Sequence, residues 1–256
     1  MQFTRVIPVL LLKNNGLVKT IKFKNSTYVG DPINAMKIFN TKEVDELVIL
    51  DIMATKSKRE PDYQFIKEIV SEAFMPIGYG GGVNKLEHIK KLFQIGIDKV
   101  IINSAAILEP DLIKKATKIY GNQSIVVSVD VKKNFFGKFK LYSYLKRKIL
   151  NIDLLHFIKK MDNFGAGEII INSVDNDGTM NGYNISLLEL VSKSVKVPVV
   201  ALGGAGRIED LKKAIKHGAS AVAAGSFFIF QGVHKAVLIS YVKSELLMKE
   251  IIKIDE

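Results

Sequence analysis

A three-part signature occurs twice along these 256 residues, at one fixed spacing. Gly80-Gly81-Gly82-Val83-Asn84 recurs as Leu202-Gly203-Gly204-Ala205-Gly206. The helix-like stretch Leu86-Glu87-His88-Ile89-Lys90-Lys91 recurs as Ile208-Glu209-Asp210-Leu211-Lys212-Lys213. An apolar run ending in a small polar step, Ile102-Asn103-Ser104-Ala105-Ala106, recurs as Ala224-Gly225-Ser226-Phe227-Phe228. All three pairs are 122 positions apart, so neither copy has gained or lost a residue between its parts. A repeat of constant period reports structural units that stack on one another. Here it reports two similar halves.

Within each half, short β-branched runs alternate with longer amphipathic stretches, the pattern of parallel strands wrapped by helices. Strands are expected near 5–12, 46–52, 75–79, 98–103, 124–131, 168–173, 197–202 and 220–225. Eight such units predict an α/β fold, a single (β/α)8 TIM barrel of two repeated half-barrels spanning 1–256, and the length suits one barrel. Asp31-Pro32 predicts a helix start, with an N-cap followed by proline at the first helical position. Asn84 and Glu87 predict another through a capping-box-like pair. Gly96 and Gly218 predict helix stops, because glycine tolerates the left-handed C-cap. The one irregular stretch is 132–151, a Lys- and aromatic-rich loop or hairpin insertion after the fifth strand. Its segment Lys138 to Ser143 alternates like a short strand, and it reads equally as a lid or as a plain surface hairpin.

No run approaches the ~18 apolar residues of a membrane span, and Val6 to Leu12 reads as a buried strand, not a signal peptide. The chain has no cysteine, which excludes disulfides, thiolate metal sites and a cysteine nucleophile. His88, His156, His217 and His234 lie far apart, so no metal site is expected, and no cofactor. A net charge of +11 would suit a polyanion. The lysines, however, are spread over helix faces, as at Lys90-Lys91, Lys114-Lys115 and Lys212-Lys213, without the interleaved aromatics that stack on bases. Neither nucleic acid nor a membrane is expected as a partner, and the expected location is cytoplasmic.

Each half ends two consecutive strands in glycine or small polar residues. Gly81-Gly82 and Gly203-Gly204 let backbone N–H groups approach an anion closely. Asn103-Ser104 and Gly225-Ser226 then open short helices whose N-terminal N–H groups favour phosphate. Such a site after strands seven and eight is common in barrels. The repeat predicts a second after strands three and four, and hence a small-molecule ligand with two phosphates. Glycines serving only tight turns are the plainer alternative, but two copies at one spacing argue against it.

A further set of segments carries a family likeness over nearly the whole chain: Arg5-Val6-Ile7-Pro8, Asp45-Glu46-Leu47-Val48, Leu50-Asp51-Ile52, Val129-Asp130, Gly165-Ala166-Gly167-Glu168 and Asp175-Asn176-Asp177-Gly178-Thr179 with Asn181-Gly182-Tyr183. Together with the glycine loops, they resemble the cyclase subunit of imidazole glycerol phosphate synthase, a barrel of histidine biosynthesis. The resemblance implies that a glutaminase partner docks on the N-terminal face of the barrel and supplies ammonia. The ammonia would cross the barrel to cleave and cyclise a bisphosphorylated ribulosyl nucleotide, a lyase reaction. Its products would be imidazole glycerol phosphate and an aminoimidazole carboxamide ribotide. The resemblance assigns catalysis to Asp130, Lys19 and Asp51, substrate binding to Asp177 and Gly178 beside the loop residues, and the ammonia gate to Arg5, Glu46, Lys99 and Glu168. Inward charges at a barrel base are costly unless paired, so a paired gate is expected. Without cysteine the chain has no thiol for glutamine hydrolysis, so ammonia derived from glutamine must come from another polypeptide.

The departures carry equal weight. The family uses two aspartates, at the ends of strands one and five, one to accept a proton while the other donates. The second is Asp130; the first position holds Leu11. Met53, Leu202 and Ile229 replace a threonine, a serine and a histidine of the family pattern, and Leu145-Lys146-Arg147 replaces a glycine-rich lid. One reading is the ordinary cyclase working on Asp130 alone. The other is a paralogue from a surface-sugar pathway that keeps barrel, channel and glutaminase but passes ammonia to a sugar-amidating enzyme. A third class, a phosphate-sugar-binding scaffold subunit, would not catalyse at all.

Overall fold

The computed structural model describes residues 4–232, 234–243, 245–247 and 249. In the first half, β1 (Arg5–Lys13) runs into an antiparallel hairpin, β2 (Gly16–Ile21) and β3 (Lys24–Gly30). There follow α1 (Pro32–Thr41), β4 (Leu47–Asp51), α2 (Tyr63–Val70), β5 (Ile77–Gly80), α3 (Leu86–Gln94), β6 (Lys99–Ile102), α4 (Ser104–Leu108) and α5 (Asp111–Tyr120). The second half repeats the plan with β7 (Ile125–Lys133) and its hairpin, β8 (Phe139–Ser143) and β9 (Lys148–Ile149). It continues through α6 (Leu154–Asn163), β10 (Glu168–Ser173), α7 (Ile185–Ser192), β11 (Val199–Leu202), α8 (Ile208–Lys216), β12 (Ala221–Ala224) and α9 (Ser226–Ile229).

Strands β1, β4, β5, β6, β7, β10, β11 and β12 pair in parallel in that order, and β12 pairs back onto β1. This is the closed eight-stranded barrel expected. Each strand lies within about two residues of its expected span, because β-branched runs buried on both faces are legible without alternation. From β5 to α9 the repeat holds to the residue: β5 and β11, α3 and α8, β6 and β12, and α4 and α9 each start 122 positions apart.

The core forms two shells. Ile7, Val9, Val48, Ile101, Val126, Ile170 and Val200 fill the barrel, while the helices bury residues such as Phe39, Leu92, Ile158 and Leu211 against its outside. Asp31 caps α1 by accepting from the Asn34 N–H at 2.9 Å, with Pro32 first in the helix. Gly96 and Gly218 follow α3 and α8 with φ of 99° and 98°. Two expectations need correction. Helix α3 starts at Leu86 behind Lys85, with no side-chain cap, because Asn84 belongs to the glycine loop that reaches toward the barrel mouth. The irregular stretch after the fifth strand is also not unique. The first half carries its counterpart, β2–β3, and each hairpin extends the first strand of its half. No helix among the described residues is long and apolar enough to cross a membrane.

Candidate active site

A cavity of about 710 Å³ opens at the C-terminal ends of the strands. The residues expected to carry chemistry there, Asp130, Lys19 and Asp51, all line it, as does Leu11. So do all the expected ligand-binding residues: Gly81, Gly82, Asn103, Ser104, Asp177, Gly178, Gly203, Gly204, Gly225 and Ser226.

Strand register shows which residues correspond in the two halves. Leu11 lies opposite Leu50, and Leu50 opposite Gly80. In the second half Asp130 lies opposite Asn172, and Asn172 opposite Leu202. Leu50 and Gly80 become Asn172 and Leu202 by the same 122-residue step, so Leu11 occupies in its half the place Asp130 occupies in the other.

Asp130 is buried, and burial pushes its carboxyl up to about 7 against two hydrogen bonds that favour the charged form. Asn103 Nδ2 donates to one oxygen at 3.0 Å and Asn172 Nδ2 to the other at 3.3 Å. The Asn172 amide oxygen is buried and without a partner. Lys19, on β2, turns back into the barrel and donates from Nζ to the Val9 carbonyl at 2.6 Å. Burial lowers its pKa to about 7, with Asp177 opposing the shift. Asp177 is raised to about 6, again chiefly by burial, opposed by Lys19, by the Phe23 N–H and by the Thr20 hydroxyl at 3.4 Å. Three groups that exchange protons near neutrality therefore share one cavity, the usual condition for acid–base work.

Asp51 differs. Its Oδ1 accepts from the Met53 and Ala54 N–H groups at 2.8 and 2.9 Å, and Oδ2 pairs with Arg59 at 3.2 Å. Both oxygens are engaged in holding the loop after β4. Close packing also explains two glycines. A Cβ on Gly225 would lie 2.6 Å from Lys19 Nζ, and one on Gly204 2.2 Å from the Gly182 carbonyl oxygen. In the first half, the Gly82 N–H donates to Thr55 Oγ1 at 3.0 Å, and the Gly82 carbonyl meets His88 Nδ1 at 3.1 Å.

At the opposite end, Arg5, Glu46, Lys99 and Glu168 form a closed ring of alternating charge. Arg5 pairs with Glu46 and, at 2.7 Å, with Glu168; Lys99 pairs with Glu46 at 2.8 Å and with Glu168 at 2.9 Å. Every charge therefore has two opposite neighbours. Above the ring lies a void of about 10 Å³, roomy enough for about one water-sized molecule, bordered by Val9, Leu50, Ile101, Ser128 and Leu202, which also line the large cavity. Asp98, at this end, accepts from the Ile77 N–H at 2.8 Å, a structural task the sequence did not announce.

Sequence reasoning missed Asn172 and Thr55. Asn172 is a lone amide after an isoleucine run, but the repeat could have found it by pairing it with Leu50.

Fold and cavity define a repeated (β/α)8 barrel with a large cavity of mixed polar and apolar lining on its C-terminal rim. The model of the histidine biosynthesis protein family matches residues 5–235, and the chain belongs to that family, in its imidazole glycerol phosphate synthase HisF branch. It is 49% identical over 238 residues to a Pseudomonas aeruginosa protein provisionally named imidazole glycerol phosphate synthase subunit hisF2, covering 93% of this chain and 95% of that one. It is 46% identical over 240 residues to a provisionally named hisF3 subunit of Vibrio vulnificus, covering 93% and 92%. An Endomicrobium trichonymphae protein named imidazole glycerol phosphate synthase subunit HisF is 41% identical over 247 residues, covering 96% and 94%.

Proposed function

We propose that this chain is a divergent HisF-type barrel that receives ammonia from a glutaminase on its N-terminal face, retains weakened cyclase chemistry, and forwards ammonia to a sugar-amidating enzyme. One observation carries the reading. Leu11 sits where the repeat calls for a second carboxylate, in the same barrel as a fully paired charge ring. The ring and the void above it suit passage of a small neutral molecule, whereas the cavity offers one carboxylate from the pair that cyclisation uses. In this scheme Asp130 accepts or donates a proton at its carboxyl, Asn103 and Asn172 hold that carboxyl in place, and Lys19 supplies the second exchangeable proton. Asp51 shapes the loop, and the glycine loops with Ser104 and Ser226 hold the ligand's two phosphates.

Turnover of the bisphosphorylated ribulosyl nucleotide with ammonium salt at alkaline pH bypasses the partner and tests the reading. General acid–base assistance is worth roughly 10²–10⁴ in rate, so the rate should lie at least about a hundredfold below that of a HisF enzyme carrying both aspartates, and Leu11→Asp should raise it. Turnover equal to such an enzyme would restore the second reading, an ordinary cyclase of histidine biosynthesis. The observation in favour of that reading is the pair Asp130 and Lys19, both near 7 in one cavity, which could divide the proton transfers between them. No turnover from either protein would leave a barrel that only binds and forwards.

A further inference from the structure

Seven of the chain's eleven net positive charges fall between residues 132 and 152, a segment with no Asp or Glu. Four of them, Lys132, Lys133, Lys138 and Lys140, flank the tip of the β7–β8 hairpin. At the tip, Phe135 and Phe136 are 97% and 81% exposed, set edge to face with ring centroids 5.7 Å apart. The turn beneath them is fixed. The Asn134 N–H donates to the Lys138 carbonyl at 2.9 Å, the Lys138 N–H to Asn134 Oδ1 at 2.9 Å, and the Gly137 N–H to the Asn134 carbonyl at 3.0 Å. The far end of the insertion is tied to the cavity. Phe23 of the first-half hairpin packs on Tyr142 and Tyr144 at 6.1 and 5.7 Å, and Tyr144 and Leu145 line the cavity wall.

We infer that this tip is a docking knob for an acidic protein that sits over the cavity mouth, the enzyme that receives the ammonia. The inference rests on the forwarding function proposed above and adds the surface and charge of the receiver. Exposed aromatic rings are the usual anchors of a protein interface, and a rim of one charge sign steers an oppositely charged partner. A lipid surface would need only net charge and apolar area. A turn held by three hydrogen bonds presents a fixed shape, which a complementary pocket on a protein exploits.

The test uses host-cell extract depleted of this chain and resupplied with its purified complex with the glutaminase. Glutamine labelled with nitrogen-15 at the amide is added, and label in the sugar-nucleotide pool is read by mass spectrometry. Phe135→Ser with Phe136→Ser should lower labelling about tenfold or more while co-purification of the glutaminase and the melting temperature stay unchanged. Labelled ammonium chloride in excess should restore labelling to the variant, since the receiving enzyme is intact. Lys138→Glu with Lys140→Glu should act in the same direction, and added salt should weaken the wild type toward it. Full labelling by the double phenylalanine variant overturns the docking surface and leaves the forwarding function standing. No label from the wild type with glutamine sinks the forwarding function and the docking surface together. Binding of the wild type, but not of the variant, to phosphatidylcholine vesicles containing about a third phosphatidylserine would reassign the knob to a membrane, with the protein partner overturned.

Discussion

At the cavity floor the first half-barrel presents Leu11, Leu50 and Gly80, whereas the second presents Asp130, Asn172 and Leu202 at the corresponding places. The last two pairs keep the 122-residue step and Leu11 corresponds to Asp130 through strand register, and both halves carry the positive-φ glycines, the short helix behind them and a hairpin on the first strand. The two halves share their loop backbone, whereas the side chains on the cavity floor differ between them. Loop geometry is set by many backbone contacts at once and resists change. A side chain on the cavity wall is held by fewer such contacts, and its identity differs between the halves.

The largest expected effect comes from removing the polar half's carboxylate. Asp130→Asn should lower whatever ammonia-driven turnover the protein has by roughly 10²–10⁴, and unchanged turnover would transfer the chemistry to Lys19. The same variant carries a stability signature. The folded pKa of Asp130, about 7, lies above the ordinary value of 3.8. The fold therefore holds a proton the unfolded chain has lost, and stability falls as pH rises from about 4 to about 7. Asp177 acts in the same direction up to about 6. Lys19, lowered to about 7 from 10.5, does the reverse, adding stability as pH rises from about 7 toward 10.5. Calorimetry across pH 4 to 8 should show the Asp130→Asn melting temperature gaining on the wild type up to about pH 7 and levelling off above it, and parallel curves would contradict the buried-acid picture.

A smaller contrast separates the glycine loops. Gly204 has φ of 116°, and an added Cβ would strike the Gly182 carbonyl oxygen at 2.2 Å; Gly82 has φ of 72°, and its Cβ would approach the Arg59 carbonyl oxygen at 2.8 Å. Strain at such positions costs on the order of 1–3 kcal/mol. Gly204→Ala should sit at or above the top of that range and Gly82→Ala near the bottom. Denaturant midpoints check the order, and equal losses would mean the loops are packed alike.

The barrel was legible because its strands are short, β-branched and buried on both faces, and because the repeat fixes their spacing. The β2–β3 hairpin was not. Its outer strand is mostly exposed and shows no alternation, although Asn14-Asn15-Gly16 and Lys22-Phe23, four of whose residues have positive φ, mark its turns. At the candidate site, glycines, charges and carboxylates stood out in the sequence because their spacing repeats or matches the family. Asn172 did not, since one amide in a run of isoleucines carries no local signal. Nor could the sequence say that Asp51 spends both oxygens on its own loop, because that depends on where Arg59 folds back.

Asn172 offers the finest test, because Asn172→Leu installs in the second half the residue the first half has at Leu50. The change keeps the branched four-atom skeleton, though with bulkier methyl ends, and removes one of two hydrogen bonds to Asp130. Both bonds favour the carboxylate, so losing either should raise the Asp130 pKa further. Asn103 is closer, at 3.0 Å against 3.3 Å, and Asn103→Leu should produce the larger rise. A hydrogen bond to a charged group is worth roughly 1.5–3 kcal/mol when well formed, and one pKa unit corresponds to about 1.4 kcal/mol. The expected rises are thus about one unit for Asn103→Leu and about half that for Asn172→Leu, read by carbon-13 NMR titration of the Asp130 carboxyl. Stability should separate the pair in the same order. Asn172 has a buried amide oxygen without a partner, so replacing it removes an unmet acceptor as well as a donor, and Asn172→Leu should cost little in melting temperature. A larger pKa rise in Asn172→Leu than in Asn103→Leu would reverse the order of the two amides, and Asn172 would then be the residue whose drift matters most in making one half-barrel resemble the other.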